Sequence, residues 1–373
     1  MFYKFFKFDW LLISALLLLL GVGLLTLYSI STSDLSFGES LAIFKRQSIF
    51  AGLGILLMLF FGVLDYRYLK SYARTIYFAS LILLLLVLVF GEVVRGTTGW
   101  ISVGPVNLQP VEISKLGLII ALASFFSRKK GELGDVSKII ASLVISFCMI
   151  FLVISQPDFG SSMVLTGIWF SMLIFSGINK KYIVILFITG LIIAVSGWFF
   201  LADYQQERIA NLFNPERDPQ GTGYNVIQSI VAVGSGGVIG KGIGQGTQSQ
   251  LNFLPEKHTD FIFAVIVEES GVMGALFVLT LFAVLFYRIK KIASRSSDNF
   301  GYLLAIGIMT MFFVQVLINV GMNLGIMPVT GIPLPILSYG GSSLVSIFIS
   351  IGILLNVYVQ KVEYSGSQVM QSH

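Results

Sequence analysis

The sequence predicts an all-α integral membrane protein, a polytopic bundle of about ten transmembrane helices with a long extracytoplasmic loop before the eighth. Three observations carry this. The chain of 373 residues is 55% hydrophobic and only 12% charged, with a mean hydropathy of +0.88. Its apolar runs repeatedly approach the roughly 20 residues that span a bilayer as a helix. Its Lys and Arg are dispersed between those runs, which is the pattern of membrane topology and not of a tract that binds nucleic acid.

The runs lie at about 10–30, 48–64, 75–90, 112–126, 139–154, 161–178, 182–201, 261–287, 302–325 and 344–359. All are too long for transmembrane strands and lack period-two alternation, so each reads as a helix that satisfies its own backbone in lipid. The first run is too long for a signal-peptide core, and no small-residue cleavage site precedes the polar STSD at 31–34, so it is expected to remain in the mature chain. Cys148 is the one cysteine, which excludes an intramolecular disulfide and a cysteine-based metal site. Of the 24 Lys and Arg, sixteen share the side of Lys4 and Lys7, which is therefore cytoplasmic. Both termini then face the cytoplasm. The chain 1–373 reads as one transmembrane domain, with segment 202–260 outside.

The outward side carries the unusual sequence. Segment 202–260 is long for a connection inside a compact domain, and such loops are usually functional or disordered. Its mixture of aromatic, Gly and Pro residues argues for order. GTTGWISVGPVNLQPVEISK (96–115), QPDFGSS (156–162) and MPVTGIPLPILSYGGSS (327–343) share that character. Gly and Pro at this density fix irregular backbone, which is tolerated at membrane depth only where it is buried in protein or lines a cavity. An outward-facing cavity roofed by these loops is expected.

PEKHTD (255–260) places Asp260 where a long apolar run begins. Glu112 and Lys115, three residues apart at the start of the fourth run, share a helix face; they form either a neutralising pair for packing or a charged lining of the cavity. Asp158 precedes a Gly-Ser-Ser turn and reads more readily as a helix cap. Glu268 and Glu269 diverge around their helix, so structural hydrogen bonding is expected for at least one. GSGGVIGKGIGQG (234–246) resembles a phosphate loop, but Ser235 stands where the first Gly belongs and Gly242 where Ser or Thr is required. Its glycines still leave amides accessible for a weaker phosphate role. His258 is the one histidine besides His373, so a zinc site would need carboxylates for its other ligands. A zinc enzyme is not the favoured reading.

Taken together, FLPEKHTDFIFAVIVEESGVMG (253–274), NPERDPQGTGYNVIQS (214–229), GSGGVIGKGIGQGTQSQLNFLPE (234–256), QPDFGSS (156–162) and NVGMNLGIMPVTGIPLPILSYGGSS (319–343) resemble the SEDS family of bacterial peptidoglycan polymerases. The resemblance is stronger to its RodA branch, which serves elongation, than to its FtsW branch, which serves division. FLPEKHTD stands where the division branch typically has YLPEAHTD. The resemblance implies a membrane glycosyltransferase, a bundle with a lipid-open groove that polymerises lipid II at the outer face of the bacterial cytoplasmic membrane. The family's essential aspartate falls on Asp260. Trp100, Gln109, Glu112 and Lys115 match family loop positions, and Asp158, His258, Ser338 and Tyr339 fall within the matched motifs as substrate-binding candidates. Relatives usually carry Arg directly before the tryptophan, where this chain has Gly99; either Arg95 reaches the same place or that role is dispensable.

The implied chemistry fits the residue inventory. A glycan strand on undecaprenyl pyrophosphate already carries an activated anomeric carbon, so no nucleotide loop is required. What remains is to deprotonate the acceptor sugar hydroxyl, a general-base task for Asp260. Arg208, Arg217, Lys241 and Lys257, with Lys115 at the rim, are the cations available to the pyrophosphate, and a divalent cation, Mg or Mn, could share that task. The family product implies inversion, although Glu256, four residues upstream, leaves a second carboxylate for retention open. A class B penicillin-binding protein is the implied partner alongside membrane lipids. Two rivals stand beside the polymerase: a lipid flippase or transporter, and a non-catalytic scaffold.

Overall fold

A computed structural model of the chain describes residues 7–33, 37–94, 97–103, 106–128, 134–197, 199, 206–207, 210–212 and 222–371. Its helices are α1 (Trp10–Ser33), α2 (Phe37–Val63), α3 (Arg67–Ser71), α4 (Ala73–Phe90), α5 (Pro110–Phe126), α6 (Asp135–Ser155), α7 (Phe159–Phe175) and α8 (Lys180–Gly197). After them come α9 (Thr222–Ser235), α10 (Thr247–Gln250), α11 (Ile262–Ser294), α12 (Asn299–Asn323) and α13 (Gly341–Gln371). Each apolar run of the sequence coincides with one of these helices. Among the described residues, seven helices are long and apolar enough to cross a membrane.

Two segments differ from expectation. Between α4 and α5 the chain forms a small antiparallel sheet, β1 (Glu92–Val94), β2 (Thr97–Val103) and β3 (Val106–Leu108), in that order. The expected irregular loop is instead a meander, because TTGWISV supplies β-branched and aromatic residues over a stretch too short to register as alternation. The pairing sets Trp100 opposite Glu92 and Ile101 opposite Leu108. Within 202–260, the described residues from 222 onward include α9 and α10. The 14 residues of α9 fall below a membrane span and are polar enough to read as loop.

Helices α12 and α13 form the centre of the bundle: 67% and 83% of their most apolar windows are buried, against 22% for α4. Successive long helices run in opposite directions, so the starts of α5, α7, α11 and α13 meet the ends of α1, α4, α6 and α12. Hydrogen bonds join these termini, from the Gln109 amide to Ser342 Oγ (3.0 Å), from the Thr98 amide to the Gln156 carbonyl (3.3 Å) and from the Tyr339 amide to the His258 carbonyl (2.8 Å). At the opposite end Arg288 pairs with Asp9, and Tyr66 donates to Asp298 Oδ1 at 2.6 Å.

Helix α11 is broken at Gly271, whose φ of 68° and ψ of −167° lie outside helical space. A break leaves backbone groups without partners inside the helix, and these must be satisfied elsewhere. The glycine-rich loop after α9 does this. Lys241 and Gly242 donate their amides to the carbonyls of Glu268 and Glu269, while Val272 and Met273 donate to Gly237 and Val238.

Candidate active site

Asp260 stands two residues before α11, half-buried, with its amide donating to the Glu256 carbonyl at 3.1 Å. Its own carbonyl accepts from two side chains of α12, Asn319 Nδ2 and Asn323 Nδ2, both at 2.9 Å. The carboxylate looks towards Gly331: a methyl group placed there would lie 3.8 Å from Asp260 Oδ2.

The 330–340 loop is fixed to the same segment. Ser338 is buried; its hydroxyl donates to the Thr259 carbonyl (2.6 Å) and accepts from the Leu334 amide (2.8 Å). The Tyr339 amide donates to the His258 carbonyl at 2.8 Å. Gln47, buried in α2, donates to the Ser338 carbonyl and accepts from the Gly340 amide. On its far side the loop rests on Gly160, where an added Cβ would meet Thr330 and Ile332. One thin loop thus separates the Asp260 carboxylate from the start of α7.

That start carries Asp158, which caps α7 by accepting from the Ser161 amide at 2.8 Å, as the sequence suggested. Burial pushes the Asp158 carboxyl up, opposed by the Ser161 hydrogen bonds and by Lys115, with Glu112 adding to the rise. Lys115 and Glu112 form a 2.8 Å ion pair with side chains 1% and 3% exposed. Gln109 and Glu112 are tied to α13 through Ser342 and Ser346. Trp100 is half-buried on β2, and Gly99 faces Gln156.

The cations fall differently. Lys241 pairs with Glu268 at 2.9 Å with about a quarter of its side chain exposed. Glu268 also accepts from the Gln248 and Ser249 amides. Glu269 turns the other way, to Ser29, Gly244 and Gln250, so both glutamates are held by structural bonds. Lys257 is buried and donates to the Ser249 carbonyl (2.8 Å) and Asn252 Oδ1 (2.6 Å), inside the fold instead of facing outward. Glu256 accepts from the Thr259 hydroxyl. Arg208, Arg217 and Arg95 lie outside the described residues. No group of three or more His, Cys, Asp or Glu converges to hold a metal ion among the described residues.

The structure thus brings Asp260, His258, Ser338 and Tyr339 together, sets Gln109, Glu112, Lys115 and Asp158 beside them, and engages Lys241 with Glu268 and Lys257 with Ser249 and Asn252. Sequence reasoning assigned no role to Asn319, Asn323 or Gln47. The available signal was an Asn pair at i, i+4 within an apolar run, which marks one polar helix face.

Comparison with known proteins gives the chain's family. A family model covering FtsW, RodA and SpoVE, described as "Cell cycle protein", matches residues 9–363. The chain is 40% identical over 354 residues to the stage V sporulation protein E of Bacillus subtilis (strain 168), covering 94% of this chain and 96% of the relative. It is 38% identical over 347 residues to the peptidoglycan glycosyltransferase MrdB of Escherichia coli (strain K12), covering 93% and 92%. A chain in the solved structure of a peptidoglycan synthase complex, which addresses how polymerization and crosslinking are coordinated, superposes with a TM-score of 0.81 at 31% identity, covering 95% of this chain and 98% of that one. With a fold, a motif set and a family match that run nearly end to end, the chain belongs to the FtsW/RodA/SpoVE family, the SEDS proteins, and has the RodA-type MrdB among its relatives.

Proposed function

We propose that this protein is a peptidoglycan glycosyltransferase that polymerises lipid II at the outer face of the cytoplasmic membrane for cell elongation, with Asp260 as general base. The observation that carries the reading is the setting of Asp260: a half-buried carboxylate at a helix start, its backbone clamped by two asparagines, facing a glycine in a loop held by hydrogen bonds. The names of the curated relatives support the activity.

In this mechanism Asp260 takes the proton from the acceptor hydroxyl as that oxygen bonds to the donor's anomeric carbon. The bond from that carbon to the pyrophosphate oxygen breaks, and undecaprenyl pyrophosphate leaves. General-base catalysis of this kind contributes about 10² to 10⁴-fold. Arg208 and Arg217 meet the pyrophosphate, with Lys241 at the rim. Lys115, Lys257 and Glu112 act from inside the fold, holding the walls, while Trp100, Gln109, Asp158, His258, Ser338 and Tyr339 shape the sugar site. A divalent cation, Mg or Mn, would add to the positive charge that meets the pyrophosphate. The bundle spans the membrane about ten times as one domain, 1–373, with both termini in the cytoplasm and 202–260 outside. A class B penicillin-binding protein crosslinks the product; the similar chain in a synthase complex supports such a partner.

Purified protein incubated with labelled lipid II tests this. Wild type is expected to yield glycan chains, and Asp260→Asn to lose at least about 10²-fold in rate at unchanged expression and insertion. Full polymer yield from Asp260→Asn would remove the proposed base. Lipid II that moves between vesicle leaflets without chain formation would point to a transporter.

A further inference from the structure

The first hydrogen bond of α11 is missing, and an asparagine side chain stands in its place. In a helix extended back by one turn, the Ala264 amide would donate to the Asp260 carbonyl, four residues earlier. Here the Ala264 amide donates to Asn323 Oδ1 at 3.0 Å, and Asn323 Nδ2 donates to the Asp260 carbonyl at 2.9 Å. One carboxamide is spliced between the donor and acceptor of a single backbone pair. The first bond the helix makes for itself is from Val265 to Phe261.

Asn323 is itself tightly determined. It is fully buried, and its Nδ2 also donates to the Asn319 carbonyl at 2.8 Å. Its own carbonyl accepts from Ser229 of α9 at 2.9 Å. Asn319, one turn earlier and equally buried, donates both to the Asp260 carbonyl and to the Ile332 carbonyl at 2.8 Å. The carboxamide orientation follows from these partners, since Nδ2 faces carbonyls and Oδ1 faces an amide.

We infer that Asn323, braced by Asn319, is a positioning residue that stops α11 short of Asp260 and so sets the direction in which the proposed base presents its carboxylate. This rests on the reading of Asp260 as the base. Without the splice, the Asp260 carbonyl keeps only its Asn319 donor, the Ala264 amide is left free to bond it directly, and α11 can wind back through the acid. Each added helical residue turns the side-chain direction by about 100°, which would aim the carboxylate away from Gly331. The backbone loses no hydrogen bond in that rearrangement. Removing the splice therefore costs catalysis more than stability, which distinguishes positioning from mere packing.

The test uses the full chain in detergent, with polymerisation of labelled lipid II and thermal unfolding measured on each variant. Asn323→Ala is expected to unfold close to wild type, with kcat lower by about 10²-fold, the loss typical of a misplaced reacting group, and a KM for lipid II near wild type. Asn323→Asp separates the two halves of the splice: it still accepts from Ala264 and caps the helix, but it cannot donate to Asp260, and it too should lose kcat. Asn323→Asp with wild-type turnover overturns the inference, because capping alone would then suffice. In wild type, slow deuterium exchange of the Ala264 amide is expected; fast exchange there overturns the splice even if both variants fail to fold. Asp260→Asn is assayed alongside. If it stays active, the proposed base falls; if it is dead while the Asn323 variants turn over normally, the positioning role alone falls.

Discussion

The pair of Glu112 and Lys115 shows what a buried charge demands. Both side chains are almost wholly enclosed and meet at 2.8 Å, and removing one partner of such a pair leaves the other charge buried and uncompensated, at a cost of about 3–5 kcal/mol. Lys115→Met should therefore lower the thermal midpoint sharply, and Glu112→Gln combined with Lys115→Met should recover much of the loss, as measured by unfolding of the purified protein. A single variant as stable as wild type would mean that the charges are not paired in the membrane. The i, i+3 spacing made this contact readable in advance, and the Asp158 cap was readable for the same reason: both depend on neighbours within one turn. Asn319 and Asn323 were not readable, because their partners, Asp260, Ala264 and Ile332, lie 13 or more positions away along the chain. An amide in an apolar run signals that some backbone group needs it without saying which.

The glycine-rich loop and the break in α11 are one structural device in two pieces of sequence. Gly271 takes φ +68° inside the helix and Gly240 takes φ +88° in the loop, and an added Cβ at each would meet the other strand of the seam: Glu269 from Gly240, Val238 from Gly271. Left-handed backbone alone costs an ordinary residue about 1–2 kcal/mol, and the contact adds to it. Gly240→Ala and Gly271→Ala should each destabilise by more than that figure, while Gly234→Ala, at a position with open space around the missing Cβ, should be nearly silent in the same unfolding measurement. Equal effects at all three positions would show that the loop does not pack against the break as described. The sequence announced that these glycines mattered, and it correctly failed the phosphate-loop pattern. It could not announce that their amides serve carbonyls of Glu268 and Glu269, since a helix interruption leaves no mark in an apolar run except one glycine. The meander of β1 to β3 and helix α9 escaped notice for a related reason: short elements carry too few periods to stand out from turn-rich sequence.

Strict alternation of the long helices gives the molecule two chemically different ends. One holds Asp260, the Glu112–Lys115 pair, Asp158 and the glycine seam; the other holds the Asp9–Arg288 pair and the Tyr66–Asp298 bond. The distribution of Lys and Arg along the sequence assigns the second end to the cytoplasm, and Asp260 can reach a substrate outside the cell only if that assignment is right. Impermeant maleimide decides it in intact cells after Cys148→Ser removes the native thiol. Gln245→Cys, exposed in the loop near Lys241, should label without permeabilisation. Ser294→Cys, exposed at the far end of α11, should label only after it. Because both reporters flank the same helix, a reversed pattern would place Asp260 in the cytoplasm, where a base for external glycan synthesis has nothing to act on. The reversal would defeat the polymerase reading while leaving the fold and the Asn323 splice intact.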